Sequence, residues 1–201
     1  MSIAYIIPYF CQKVLKKILT FQLFLKFFGD CKTDAENGRK VRLYMKNSEV
    51  YTEEEKGGWH MLKKAISLAE KAHQGQVDKG GHPYILHPKR VMEKCETTEE
   101  KIVAMLHDVM EDTDYTADDL RREGFSEEIL AALLCLTHRE GEGYMEYIER
   151  ICGNPLAVRV KYADLQDNMD LSRIPEPTEK DLARLEKYKL AKKRIEEAMK
   201  G

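Results

Sequence analysis

The stretch Lys101-Ile-Val-Ala-Met-Leu-His107-Asp108-Val-Met-Glu111-Asp112-Thr113 decides how this chain is read. Its apolar residues, Ile102, Val103, Met105, Leu106, Val109 and Met110, recur at helical spacing. Thr97, followed three residues on by Glu100, is a capping-box start. The pattern predicts one amphipathic helix over 97–112. On it His107 and Glu111 are four apart, and Asp108 lies three before Glu111 and four before Asp112. These polar groups therefore share one side near the helix end. An imidazole and three carboxylates beside an apolar stripe are costly to bury unless something positive sits among them. A divalent metal meets that need. A solvated His–Asp pair at a helix end is the plainer reading, and other parts of the chain must decide between them.

Outward from this stretch the pattern stays helical. Residues 59–74 carry Trp59, Leu62, Ile66, Ala69 and Ala72–His73 at helical spacing, and the loop Gly75–Pro83 follows. A short helix over 84–95 holds His87-Pro88, and another over 116–123 is stopped by Gly124. Ser126 opens an apolar helix ending at Thr137, and 144–152 forms the next. Asn154-Pro155 is an N-cap with proline in the first turn, launching 155–170. Thr178 with Asp181 caps a final helix over 179–199. No period-two segment stands out, so the expected fold is an all-α bundle. His87, 20 residues before His107, and Asp164, on a stripe with Lys161 and Asn168, extend the ligand set. Two imidazoles and two carboxylates suit Mn²⁺, Fe²⁺ or Zn²⁺, with positions left for water or substrate.

The chain of 201 residues is 34% charged with a net charge of -2, which gives no reason to expect a nucleic-acid partner. Five cysteines without CxxC spacing read as reduced thiols in a cytoplasmic protein. The expected organisation is an apolar and basic extension over 1–44, a polar linker over 45–58 and the domain over 59–201. Within the extension, Lys13, Lys16, Lys17 and Thr20 fall on one helical face, so residues 1–28 carry a membrane-surface anchor as an alternative to dispensability. No stretch of about 18 apolar residues among them runs without a charge, as a span needs, and their basic charges follow the first apolar run instead of preceding it, unlike a signal peptide. Met45 is a second candidate translation start.

Four ordered motifs carry a family resemblance: Ala72-His73-Gln74-Gly75-Gln76, then Gly81-His82-Pro83-Tyr84-Ile85-Leu86-His87-Pro88, then Leu106 to Thr113, then Lys161-Tyr162-Ala163-Asp164 with Asn168-Met169. Together, over roughly 59–172, they resemble the HD-superfamily hydrolase domain of RelA/SpoT-type enzymes, especially the small stand-alone alarmone hydrolases. The resemblance implies an HD-domain helical bundle and a stringent-response enzyme. Its activity would be Mn²⁺-dependent removal of the 3′-pyrophosphate from guanosine 3′,5′-bispyrophosphate (ppGpp). It also implies His87, His107, Asp108 and Asp164 as metal ligands, Glu111 and Asp112 as groups that orient or deprotonate the attacking water, and Asn168 as a nucleotide contact. The family's synthetase domain has no counterpart in the chain.

The departures bear on the substrate. Asp78-Lys79 stands where the family usually has Arg-Lys, whose arginine stacks on the guanine. Leu165-Gln166-Asp167-Asn168-Met169-Asp170 replaces Arg-Leu-His-Asn-Met-Arg. Lys79, Lys161 and Arg173 are left as phosphate partners, each weighed against a solvated surface charge. Two further functions stay open: an HD phosphohydrolase of another phosphorylated metabolite, and a catalytically silent nucleotide-binding sensor. The oligomeric state is not legible.

Overall fold

Ile102, Val103, Ala104, Met105 and Leu106 are five consecutive residues none of which is more than 2% exposed. The helix they form is therefore buried on all sides, not along one stripe. It lies in a computed structural model that describes residues 32–33, 40–41, 43–46, 49–174 and 176–200, with side chains from Gly57 onward except that of Arg173. The chain divides between Trp59 and His60 into two units. The basic face read over 1–28 lies outside the described residues.

In the first unit, β1 (Lys32–Thr33) pairs antiparallel with β2 (Lys40–Val41), Lys32 opposite Val41. β3 (Leu43–Lys46) pairs antiparallel with β4 (Glu49–Thr52), Lys46 opposite Glu49. The sequence reading expects no strand in this polar stretch. Strands of two to four residues are too short to print a period-two signal. α1 (Glu53–Ala72) begins six residues before the expected start and runs through Gly57-Gly58. Trp59, expected in the core stripe, is 58% exposed, and burial in this helix starts at Leu62.

The second unit is all-α, as expected. Its described elements are α1 from His60 on, α2 (Leu86–Glu93), α3 (Thr98–Leu106), α4 (Val109–Asp112), α5 (Ala117–Arg122), α6 (Glu127–Leu136), α7 (Tyr144–Cys152), α8 (Pro155–Asn168) and α9 (Glu179–Ala198). A 3₁₀ turn, Leu171–Arg173, leads out of α8. The caps form where the sequence puts them. Thr97 Oγ1 accepts the Glu100 N–H at 3.1 Å, and Asn154 Oδ1 accepts those of Leu156 and Ala157 at 3.1 and 2.9 Å. α8 is the axis of the bundle and packs on α2, α3, α6, α7 and α9. Val160 and Leu165 on α8 and Val103 to Leu106 on α3 are fully buried. That packing carries the polar residues at the ends of α2, α3 and α8 into one place.

Candidate active site

The helix predicted over 97–112 is interrupted at its centre of interest. α3 stops at Leu106, His107 and Asp108 form a turn, and α4 resumes at Val109. Both residues keep right-handed helical angles, so the path bends little while the hydrogen-bond ladder is broken. In an unbroken helix, successive side chains diverge by about 100°. Here His107 Nε2 and Asp108 Oδ2 come within 3.0 Å of each other.

The other two expected ligands meet them. His87 Nε2 is 3.1 Å from Asp164 Oδ1 and 3.7 Å from Asp108 Oδ2, and His107 Nε2 is 3.7 Å from Asp164 Oδ1. His87, His107 and Asp164 offer ligand atoms within 4.8 Å of one another, and all three residues are buried. The donor set fits a divalent cation on one further observation. His107 Nδ1 lies 2.8 Å from the Ala104 carbonyl oxygen, which can only accept, so Nδ1 carries the ring proton. While the ring is neutral, that leaves Nε2 buried without a well-directed hydrogen bond, its lone pair turned toward two carboxylates. Such an arrangement is repulsive until a cation sits between the donors.

The electrostatics say the same. Burial pushes the His107 pKa down, but the Asp108 and Asp164 charges more than reverse it and hold it well above its usual value. Burial likewise opposes ionisation of Asp164, yet Lys161 and the two histidines keep its carboxyl well below the carboxylate range. Asp108 is held low by His107 against its own burial. The centre draws in positive charge.

The expected catalytic pair also lines the cleft beside this centre, a cavity of about 570 Å³. Glu111 Oε2 accepts the backbone N–H of His138 at 3.1 Å. Burial, then the charges of Asp108 and Glu111, raise the pKa of Asp112. The expected substrate contacts are less available. Lys161 donates to Asp164 Oδ2 at 2.8 Å and Asn168 donates to Asp164 Oδ1 at 2.5 Å, so both clamp the Asp164 carboxylate. Lys79 is ion-paired with Asp181 at the start of α9. The Arg173 side chain lies outside the described residues. Asp78 Oδ1 accepts the backbone N–H groups of Gly80 and His82, both at 2.9 Å, and so shapes the loop before α2.

Sequence reasoning missed several groups. Tyr84 donates its hydroxyl to Asp108 Oδ2 at 2.6 Å. Asp167 Oδ2 is 2.7 Å from His87 Nδ1. His73 is buried and pairs through Nδ1 with Gln76 Oε1 at 2.8 Å, while Gln76 donates to the Asp112 carbonyl at 3.3 Å. The first motif thus props the end of α4. Arg184 and Lys187 of α9 line the cleft as well. They were hidden because that helix is charged on every side.

No protein-family model matches the chain. Residues of this chain are 30% identical over 120 residues to a guanosine-3′,5′-bis(diphosphate) 3′-pyrophosphohydrolase of Aquifex aeolicus, covering 54% of this chain and 17% of the relative. They are 39% identical over 74 residues to a protein of the same description from Borreliella burgdorferi, 35% of this chain and 11% of that one. A probable GTP pyrophosphokinase of Mycobacterium leprae is 29% identical over 135 residues, 61% of this chain and 17% of the relative. The chain thus spans less than a fifth of the length of these relatives. Among solved structures, one described as a metazoan ortholog of SpoT that hydrolyses ppGpp superposes with a TM-score of 0.58 at 23% identity, covering 70% of this chain and 86% of that one. That likeness shows the all-α fold.

Proposed function

We propose that this chain, which carries an HD-type domain of the RelA/SpoT kind, is a metal-dependent phosphohydrolase that removes the 3′-pyrophosphate of ppGpp or a related nucleotide. The observation that carries the reading is the meeting of His87, His107, Asp108 and Asp164 in a cleft, with the buried Nε2 of His107 turned toward both carboxylates. These four residues would hold the cation, Mn²⁺ in our proposal. Once bound, a divalent ion lowers the pKa of water and neutralises charge on phosphoryl oxygens.

The chain's own groups do the rest. Lys161 and Asn168 fix the Asp164 carboxylate, and Tyr84 fixes that of Asp108, so the donors are set before any ligand enters. Glu111, held by the His138 N–H, takes the proton of the attacking water. Asp112 lines the same wall, where burial and the charges of Asp108 and Glu111 raise its pKa. Arg184 and Lys187 bring positive charge to the cleft for the phosphates. A cleft of about 570 Å³ accommodates a nucleotide.

A second reading, hydrolysis of another phosphorylated metabolite, has its own observation. Asp78 faces the cleft where a base-stacking arginine would be expected, and Lys79 is already paired. Purified full-length protein, stripped of metal and reloaded with Mn²⁺, should release pyrophosphate from ppGpp, and His107→Ala should not. Turnover of other phosphorylated nucleotides but not of ppGpp would favour the second reading. Mn²⁺ binding with no turnover of any substrate would favour a silent sensor. No Mn²⁺ binding would end both enzymatic readings. Among the described residues no helix is long and apolar enough to cross a membrane, and we propose a cytoplasmic site of action.

A further inference from the structure

We infer that Asp167, held by Arg90 and Lys94, is the positioning residue of this centre: it sets the orientation of His87 and ties the helix bearing His87 to the helix bearing Asp164. The inference rests on the metal-centre reading above. His87 uses its two ring nitrogens on opposite sides. Nε2 faces the centre, 3.1 Å from Asp164, and Nδ1 faces Asp167 Oδ2 at 2.7 Å. An ionised carboxylate can only accept, so Nδ1 bears a hydrogen, and the neutral ring that binds a metal keeps its Nε2 lone pair facing the centre.

Asp167 is built for that task. It is only 3% exposed, and a buried carboxylate is costly unless donors surround it. Besides His87, Arg90 grips it with a fork, Nε to Oδ1 at 2.8 Å and Nη2 to Oδ2 at 3.0 Å. Lys94 adds a contact to Oδ1 at 3.1 Å. The two cations keep 28% and 35% of their side chains in solvent, so burial falls chiefly on the carboxylate they neutralise. His87, Arg90 and Lys94 sit at i, i+3 and i+7 on one face of α2 and its C-cap, and Asp167 follows Asp164 by three residues on α8. One carboxylate therefore fixes a ring and registers two ligand-bearing helices. Partners of this kind raise the basicity of a ligating imidazole and change metal affinity by about 10–100-fold when removed.

The test is Mn²⁺ affinity of the full chain, read from the paramagnetic resonance signal of free Mn²⁺. Asp167→Ala should weaken binding by about 10–100-fold. Asp167→Asn keeps the shape and an acceptor oxygen, so it should lose less, and it carries the test if the alanine variant fails to fold. In a His87→Ala background, Asp167→Ala should cost almost nothing more, because its effect runs through the missing ring. A purely structural role would give the same loss in both backgrounds, and that result overturns the inference. So does wild-type affinity in both Asp167 variants. If the wild-type chain binds no Mn²⁺, the metal-centre reading falls, and this inference with it.

Discussion

A carboxylate that is to accept a proton from water must be held still without being neutralised, and Glu111 meets that condition. Its Oε2 is anchored by a neutral backbone N–H, not by a cation. Glutamine at this position keeps an oxygen for the His138 N–H but cannot take up a proton. Glu111→Gln should therefore lower kcat by about 10²-fold or more, while Mn²⁺ affinity stays at the wild-type value. Full turnover in this variant would remove Glu111 from the proton path. Asp78 illustrates a residue with two jobs. Its charge opposes an anionic nucleotide, but its Oδ1 also accepts the N–H groups of Gly80 and His82. Replacing it with arginine would disturb the loop as well as the charge. Asp78→Asn separates the two, because the amide oxygen still accepts both bonds. A lower KM for ppGpp, by a few-fold with kcat unchanged, is the expected result. An unchanged KM would show that the cleft does not sense this charge.

At the scale of elements, what the sequence makes legible is what neighbours in sequence decide. The boxes Thr97–Glu100 and Thr178–Asp181 and the cap Asn154-Pro155 need only three or four consecutive residues, and all form. The meeting of His87, His107, Asp108 and Asp164 was legible because their types and order match a known motif set. The break at His107–Asp108 was not, since the helical pattern continues through it. Nor were Asp167, Tyr84 or the Lys79–Asp181 pair, whose partners lie 80, 24 and 102 residues away. Only the spacing of His87, Arg90 and Lys94 on one helical face hinted at an acceptor opposite. Arg150 is a further case. From α7 it donates to the carbonyls of Leu134, Cys135 and Thr137 at 2.9, 3.0 and 3.1 Å, closing the C-terminal end of α6, and it grips Glu142 at 2.6 and 2.7 Å. Arg150→Met removes the bonds to those carbonyls and the ion pair at once, leaving Glu142 with the N–H of Arg139. From the lost carbonyl bonds alone we expect a loss of about 2 kcal/mol in urea unfolding. A loss below about 1 kcal/mol would mean that solvent replaces these bonds freely.

For the molecule as a whole, the centre links folding to protons and to metal. In the metal-free chain His87 and His107 have pKa values raised above 6.5, chiefly because the neighbouring carboxylates outweigh the opposing effect of burial. Stability from their protonation is fully present below the unfolded value near 6.5 and is lost as pH rises through the folded values. Asp108 and Asp164 have folded values below 3.8, so their contribution is present above the unfolded value and lost as pH falls through the lowered folded ones. Between these limits, protons on the rings balance the carboxylates. Above them, bare imidazoles face two anions and the centre weakens the fold. A divalent cation takes over the balancing charge, but at lower pH it must first displace protons. The Mn²⁺-induced rise in Tm should therefore be larger at about pH 8.5 than at about pH 6. At a free concentration of 100 times Kd it corresponds to about 2.7 kcal/mol. Asp164→Asn, which removes a ligand charge at the meeting point of α8 with the two histidines, should abolish most of the increment. Calorimetry with and without Mn²⁺ at the two pH values decides it, and an increment independent of pH would show that the ion binds away from these histidines.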